Sequence, residues 1–236
     1  MDYFLAGREC PAYHPFYADG IHRMKSALLL VDIQNDFCPG GALAVPEGDR
    51  IVPVINALME LFPEVIATRD WHPPGHISFA SRYAKPVMAT IDTPYGPQIL
   101  WPDHCVRNTP GADFHPALAA ALIRHVVYKG TNPEIDSYST FFDNARRQQT
   151  DLHRYLQASG VTDLCLCGLA TDYCVLYSAL DALELGYAVT VIEDACRGVN
   201  VKADDSEQAL QRIVAAGGRR VMSATLIHQW EKEIRL

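Results

Sequence analysis

An α/β fold is predicted for this chain: one doubly wound, mainly parallel six-stranded sheet with helices on both faces. Three features predict it. Short β-like apolar runs alternate with helix-like runs along most of the sequence, the pattern of β-α-β crossovers. The first run, ALLLVDI at 27–33, is almost continuously apolar, as a strand covered on both faces should be. Polar residues with reactive side chains fall where these runs end, and open parallel sheets place their ligands at that edge.

After the strand at 27–33 comes DRIVPVINALMELF (49–62), a helical stretch with Asp49 as cap and Pro53 in its first turn. EVIAT (64–68) is the second strand. Residues 69–116 carry much Pro, Gly and His and read as a long loop, and loops of that length in a domain usually serve function. HPALAAALIR (115–124) is expected to be helical, HVVYK (125–129) the third strand and 130–150 irregular. DLHRYLQASG (151–160) reads as a helix closed by its glycine, and DLCLCG (163–168) as the fourth strand. TDYCVLYSALDALELG (171–186) reads as a helix capped by Thr171, AVTVIED (188–194) as the fifth strand, SEQALQRIVAAGG (206–218) as a helix and RRVMSA (219–224) as the sixth strand.

Among 236 residues, 49% are hydrophobic, enough for a sizeable core, and no repeat or linker divides the chain. Residues 1–24 lack the apolar stretch of a secretion signal and any clear periodicity. They are expected to be a peripheral extension to a single domain over 25–236. The formal charge of −8, with no basic block, argues against nucleic acid and acidic membrane surfaces as partners. No apolar run approaches the roughly 18 residues of a membrane helix. Seven cysteines without framework spacing are expected to be reduced thiols in a cytoplasmic protein, and Cys165 and Cys167 to be packing residues of one strand.

Asp32, Asp70, Lys129 and the turn at 168–174 all map to carboxyl ends of strands. A carboxylate, an ammonium and a thiol (Asp32, Lys129, Cys174) converging there would form an activated-nucleophile site, although each residue taken alone is compatible with packing or capping. In the first turn after Thr171, the helix dipole would lower the Cys174 pKa by roughly one unit. An ammonium about 4 Å away would contribute roughly 4 kcal/mol at an effective dielectric near 20. Lys129 is therefore expected to be the larger activator of the thiol, with Asp32 as acceptor of its proton and the N–H groups of Ala170 and Cys174 as an oxyanion hole. Asp70 and His72, two apart at a strand end, together with His104 make a mixed N/O donor set with open positions. Zinc suits it best, and iron(II) or manganese would also fit. His76 is either a fourth ligand or a hydrogen-bonding residue of its loop. Phe37, Trp101 and Tyr138 flank these segments and could sandwich a flat ring.

The segments VDIQNDFCPGGAL, RDWHPPGHISFAS, LWPDHCV, KGTNPEIDSYSTFFDN, GLATDYCV and DACRGV, in this order between about 27 and 224, resemble the nicotinamidases of the isochorismatase-like cysteine hydrolase superfamily. That resemblance implies the isochorismatase-like hydrolase fold and a triad of Asp32, Lys129 and Cys174. It further implies a cis peptide before Ala170, one divalent metal on Asp70, His72 and His104 with variable use of His76, and ring contacts from Phe37, Trp101 and Tyr138. The implied reaction is hydrolysis of nicotinamide to nicotinate and ammonia through a thioester, in NAD salvage. The implied partners are the small-molecule substrate and, left open, further copies of the chain. Two alternatives stand beside it: an amidase of the same superfamily acting on another carbamoyl or ureido substrate without need of the metal, and a non-catalytic metal or thiol sensor.

Overall fold

Six strands lie side by side in the order β5-β2-β1-β6-β7-β8, and every neighbouring pair is parallel. They are β1 (Ser26–Val31), β2 (Glu64–Asp70), β5 (His125–Lys129), β6 (Asp163–Leu169), β7 (Ala188–Arg197) and β8 (Arg219–Val221). The computed structural model describes residues 25–234; the extension expected over 1–24 lies outside them. The central strands β1 and β6 are buried along their whole length, which explains their lack of polar alternation. Helices α1 (Val52–Met59), α2 (Leu152–Ala158), α3 (Leu176–Glu184), α4 (Asp205–Ala215) and α5 (Ser223–Ile234) complete the α/β alternation. No described helix is long and apolar enough to cross a membrane.

The structure corrects four expectations. Residues 115–124 form a run of tight turns with one 3₁₀ turn (Ala120–Leu122) instead of a helix. Asn56 of α1 captures their backbone: its Nδ2 donates to Ala117 O (2.8 Å) and its Oδ1 accepts from Ala119 N (2.9 Å). A side chain from another element thus takes groups that an alanine-rich helix would have paired internally. Asp49 lies inside a 3₁₀ turn (Gly48–Ile51) and makes no cap for α1. Thr171 does not cap the next helix. The chain there makes a π-turn (Thr171–Val175) before α3, and Ala170 O accepts from both Tyr173 N and Val175 N at 3.1 Å. Finally, the last strand stops at Val221 and Ser223 opens α5. The Asp194 carboxylate accepts from Ser223 N (2.7 Å) and Ser223 Oγ (2.5 Å). Leu226 and Trp230, four apart on α5, are buried, with Trp230 edge-on to Phe62 at 4.3 Å. Inside the long loop, β3 (Thr90–Thr93) and β4 (Gly96–Ile99) form a small antiparallel hairpin.

Candidate active site

Parallel register brings the strand ends level: Asp70 pairs with Lys129 across β2 and β5, and Val31 with Gly168 across β1 and β6. Asp32 follows β1 with φ of 52°, a left-handed conformation that aspartate tolerates better than most residues. The turn is held by Thr68 of β2, whose Oγ1 accepts from Asp32 N (3.0 Å) and donates to Asp32 Oδ1 (2.6 Å). The second carboxylate oxygen, Oδ2, stands 2.9 Å from Lys129 Nζ. The Lys129 ammonium also donates to Asp70 Oδ1 (3.0 Å), Ser137 O (3.1 Å) and Cys174 Sγ (3.5 Å). All four charged or ionisable groups are buried, Lys129 being one of the largest fully buried side chains.

Buried charge is tolerated only when it is paired. Burial lowers the proton affinity of Lys129, but Asp32, Asp70 and the Cys174 sulfur outweigh it and hold the ammonium well above the usual lysine range. Burial, with help from Asp70, raises Asp32 above the usual carboxylate range against the pull of Lys129. Asp70 moves the other way: the charges of His72 and Lys129 overcome burial and hold it well below that range. Cys174 moves the same way as Asp32. Burial raises the thiol well above 9, Lys129 opposes this, and Asp32 and Asp70 reinforce it. The ammonium answers two carboxylates before it answers the sulfur, so the thiol holds its proton more firmly than usual beside a carboxylate of raised basicity.

A second cluster shares Asp70. Its Oδ2 lies 2.8 Å from His72 Nε2 and 3.4 Å from His104 Nε2. Each imidazole donates its Nδ1–H to a backbone carbonyl, His72 to Gly130 O (2.9 Å) and His104 to Pro102 O (2.8 Å), which turns Nε2 of both rings towards the carboxylate. Gly130 has φ of 64°, and a Cβ there would stand 2.4 Å from His72 Cε1, so only glycine lets its carbonyl reach the ring. His76 stacks on His72 with ring centroids 4.0 Å apart. Its Nδ1 bonds Ser78 Oγ (2.8 Å), while its buried Nε2 has no partner. Burial, and then His72, push its pKa down to about 4, which favours a neutral ring. A carboxylate, two oriented imidazoles and an orphaned third nitrogen fit a divalent transition ion with mixed N/O ligands.

Between the clusters opens a pocket of about 400 Å³, its mouth included, with Cys174, Ala170, Asp70 and His104 on its walls. Phe37, Trp101 and Tyr138 line it as well, Phe37 edge-on to His104 at 5.5 Å and Trp101 Nε1 donating to Tyr138 Oη at 3.2 Å. The peptide between Leu169 and Ala170 is cis. The structure thus brings together every residue singled out from the sequence.

Sequence reasoning missed others. Tyr173, beside Cys174, meets Trp101 edge-on at 5.0 Å, and Leu43, Val45 and Val199 form further wall. Asp172 secures that wall, accepting from Val199 N (2.9 Å) and Asn200 N (2.7 Å). Asp36 accepts from Cys105 N (2.7 Å) and so fixes the segment carrying His104. Asp136, also on the pocket, is buried beside His72 and His76. Only its place two residues before Tyr138 hinted at it.

Residues 26–225 match the isochorismatase domain model. A nicotinamidase of Escherichia coli is 52% identical over 81% of this chain and 92% of its own. Among solved structures, an Acinetobacter nicotinamidase/pyrazinamidase is 43% identical and covers 86% of this chain and 98% of its own, with a TM-score of 0.83. A pyrazinamidase of Pyrococcus horikoshii, solved in complex with zinc, is 40% identical, covering 84% and 99%, with a TM-score of 0.69. The chain belongs to the isochorismatase-domain family, on the branch that these nicotinamidases occupy.

Proposed function

We propose that this protein hydrolyses nicotinamide to nicotinate and ammonia, with Cys174 as nucleophile. The observation that carries the reading is the thiol placed 3.5 Å from a lysine that is itself pinned between two carboxylates, at the wall of an aromatic-lined pocket.

Asp32, with raised proton affinity and an oxygen 2.9 Å from the ammonium, takes the Cys174 proton as the sulfur attacks the carboxamide carbon. The Lys129 ammonium gains a new anion to face as the thiolate develops, an interaction of roughly 4 kcal/mol at an effective dielectric near 20. It therefore stabilises the reacting state more than the resting one. The N–H groups of Ala170 and Cys174 hold the oxyanion of the tetrahedral intermediate. Collapse breaks the C–N bond, the nitrogen leaves as ammonia with the proton held by Asp32, and a thioester remains. Water then attacks the thioester, Asp32 accepts its proton, and nicotinate departs as that proton returns to the sulfur.

Asp70, His72 and His104 would hold a divalent ion, zinc by preference and iron or manganese by the same donor logic, with His76 Nε2 as a further ligand. Such an ion supplies a Lewis-acidic contact for the pyridine nitrogen and so a fixed orientation of the ring. Phe37, Trp101 and Tyr138 confine the ring, and their apolar faces keep bulk water from the nucleophile.

Ammonia release from nicotinamide by wild type and Cys174→Ala tests the reading. Wild type is expected to turn over and the variant to be inert. Equal rates would remove Cys174 from its role, and no ammonia from either protein would refute the activity.

A further inference from the structure

Asp70 serves both clusters at once: its Oδ1 lies 3.0 Å from Lys129 Nζ and its Oδ2 2.8 Å from His72 Nε2. It is thereby a weakened counterion, with one of its oxygens committed to Lys129. An unbalanced buried charge is costly, so a further anion close to the imidazoles would be stabilising.

Asp136 meets that requirement. One of its carboxylate oxygens lies within 4.8 Å of ring nitrogens of both His72 and His76, which themselves lie within the same distance of each other. It is 2% exposed. Gln98 of β4 donates to its Oδ2 (2.9 Å) and the Ser137 N–H donates to its Oδ1 (2.8 Å), which fixes the carboxylate and leaves further lone pairs unused. His76, whose buried Nε2 has no hydrogen-bond partner, belongs to the same group. We infer that Asp136 is a member of the ion-holding site, facing the ion from the His76 side and supplying the negative charge that Asp70 shares with Lys129. This rests on the metal reading given under the proposed function. It assigns the β3–β4 hairpin a task too: Gln98 positions the carboxylate.

The experiment is Zn²⁺ affinity, measured by chelator competition on metal-stripped full-length protein, together with the melting temperature of the stripped state. Asp136→Asn is expected to bind Zn²⁺ about 10-fold or more weakly, the scale of losing an outer partner of a metal site. Its stripped melting temperature should match that of stripped wild type. Asp136→Glu and Asp136→Gln, equal in size and different in charge, repeat the test: Glu should retain affinity several-fold better than Gln. Wild-type affinity in Asp136→Asn, or equal loss in Glu and Gln, would overturn the inference by showing no role or a purely steric one. Failure of all three variants to fold would also overturn it, making Asp136 a residue of folding. Wild type that binds no Zn²⁺ at all would refute the metal reading itself, a result distinguishable from these.

Discussion

The two clusters that meet at Asp70 are built by different means. Around Lys129, every ionisable group sits at a strand end or in the turn that follows one: Asp32 after β1, Asp70 on β2, Lys129 on β5 and Cys174 after β6. Sheet register alone brings them together. Around His72, Asp70 ends a strand, but His72, His76 and His104 belong to a loop held by scattered contacts: the Gly130 and Pro102 carbonyls, and Asp36 on Cys105 N. The first cluster is a property of the sheet. The second is a property of a closed loop, so a perturbation of the loop should reach one and spare the other.

The largest expected effect separates chemistry from architecture. Cys174→Ala should lower nicotinamide turnover by at least about 10⁴-fold, the scale of losing a nucleophile. Its melting temperature and Zn²⁺ content should stay near wild type, and loss of metal with the thiol would erase the distinction between the clusters. Next comes Lys129→Met, which strands Asp32 and Asp70 without a counterion. Urea unfolding should show a loss of about 3–5 kcal/mol, as for half of a buried ion pair. A loss under about 1 kcal/mol would mean that the carboxylates are not ionised together. Stripping the metal should remove stability by mass action, about 2.7 kcal/mol relative to a free ion at 100 times its dissociation constant. Calorimetry should show this shift equally in wild type and Cys174→Ala.

Smaller changes sharpen the comparison. Asp36→Ala leaves the buried Cys105 N–H unsatisfied, at a cost of about 1–3 kcal/mol. It should weaken Zn²⁺ binding through His104 while alkylation of Cys174 in the stripped protein proceeds at the wild-type rate. Ser223→Ala, far from both clusters, removes a hydroxyl held by Asp194 and should cost about 1–2 kcal/mol with turnover unchanged.

This difference in construction also explains what could be read from sequence. The parallel sheet was legible because β1 and β6 are apolar on both faces, and Asp32, Asp70, Lys129 and Cys174 were legible as strand ends. His72 was within reach through its spacing from Asp70, and His104 as a second imidazole in WPDHC that completes the donor set, with the resemblance of its segment pointing the same way. Contacts between distant segments left no local trace. Asn56 diverted 115–124 from a helix with two hydrogen bonds across more than sixty positions, and Asp194 started α5 from 29 positions away. The raised proton affinity of the Cys174 thiol was hidden for the same reason. It depends on how Lys129 divides its charge among Asp32, Asp70 and the sulfur, and spacing carries no information about that.

The most direct measurement uses the aldehyde analogue of nicotinamide, labelled with ¹³C at its carbonyl carbon. Addition of the Cys174 S–H across that carbonyl forms a C–S bond, sends the proton to oxygen, and moves the carbon resonance from the aldehyde range to the tetrahedral range. The tetrahedral signal is expected with wild type and its absence with Cys174→Ala. The same signal from both proteins, or an aldehyde bound to wild type with its carbonyl unaltered, would contradict the assignment of Cys174 as nucleophile.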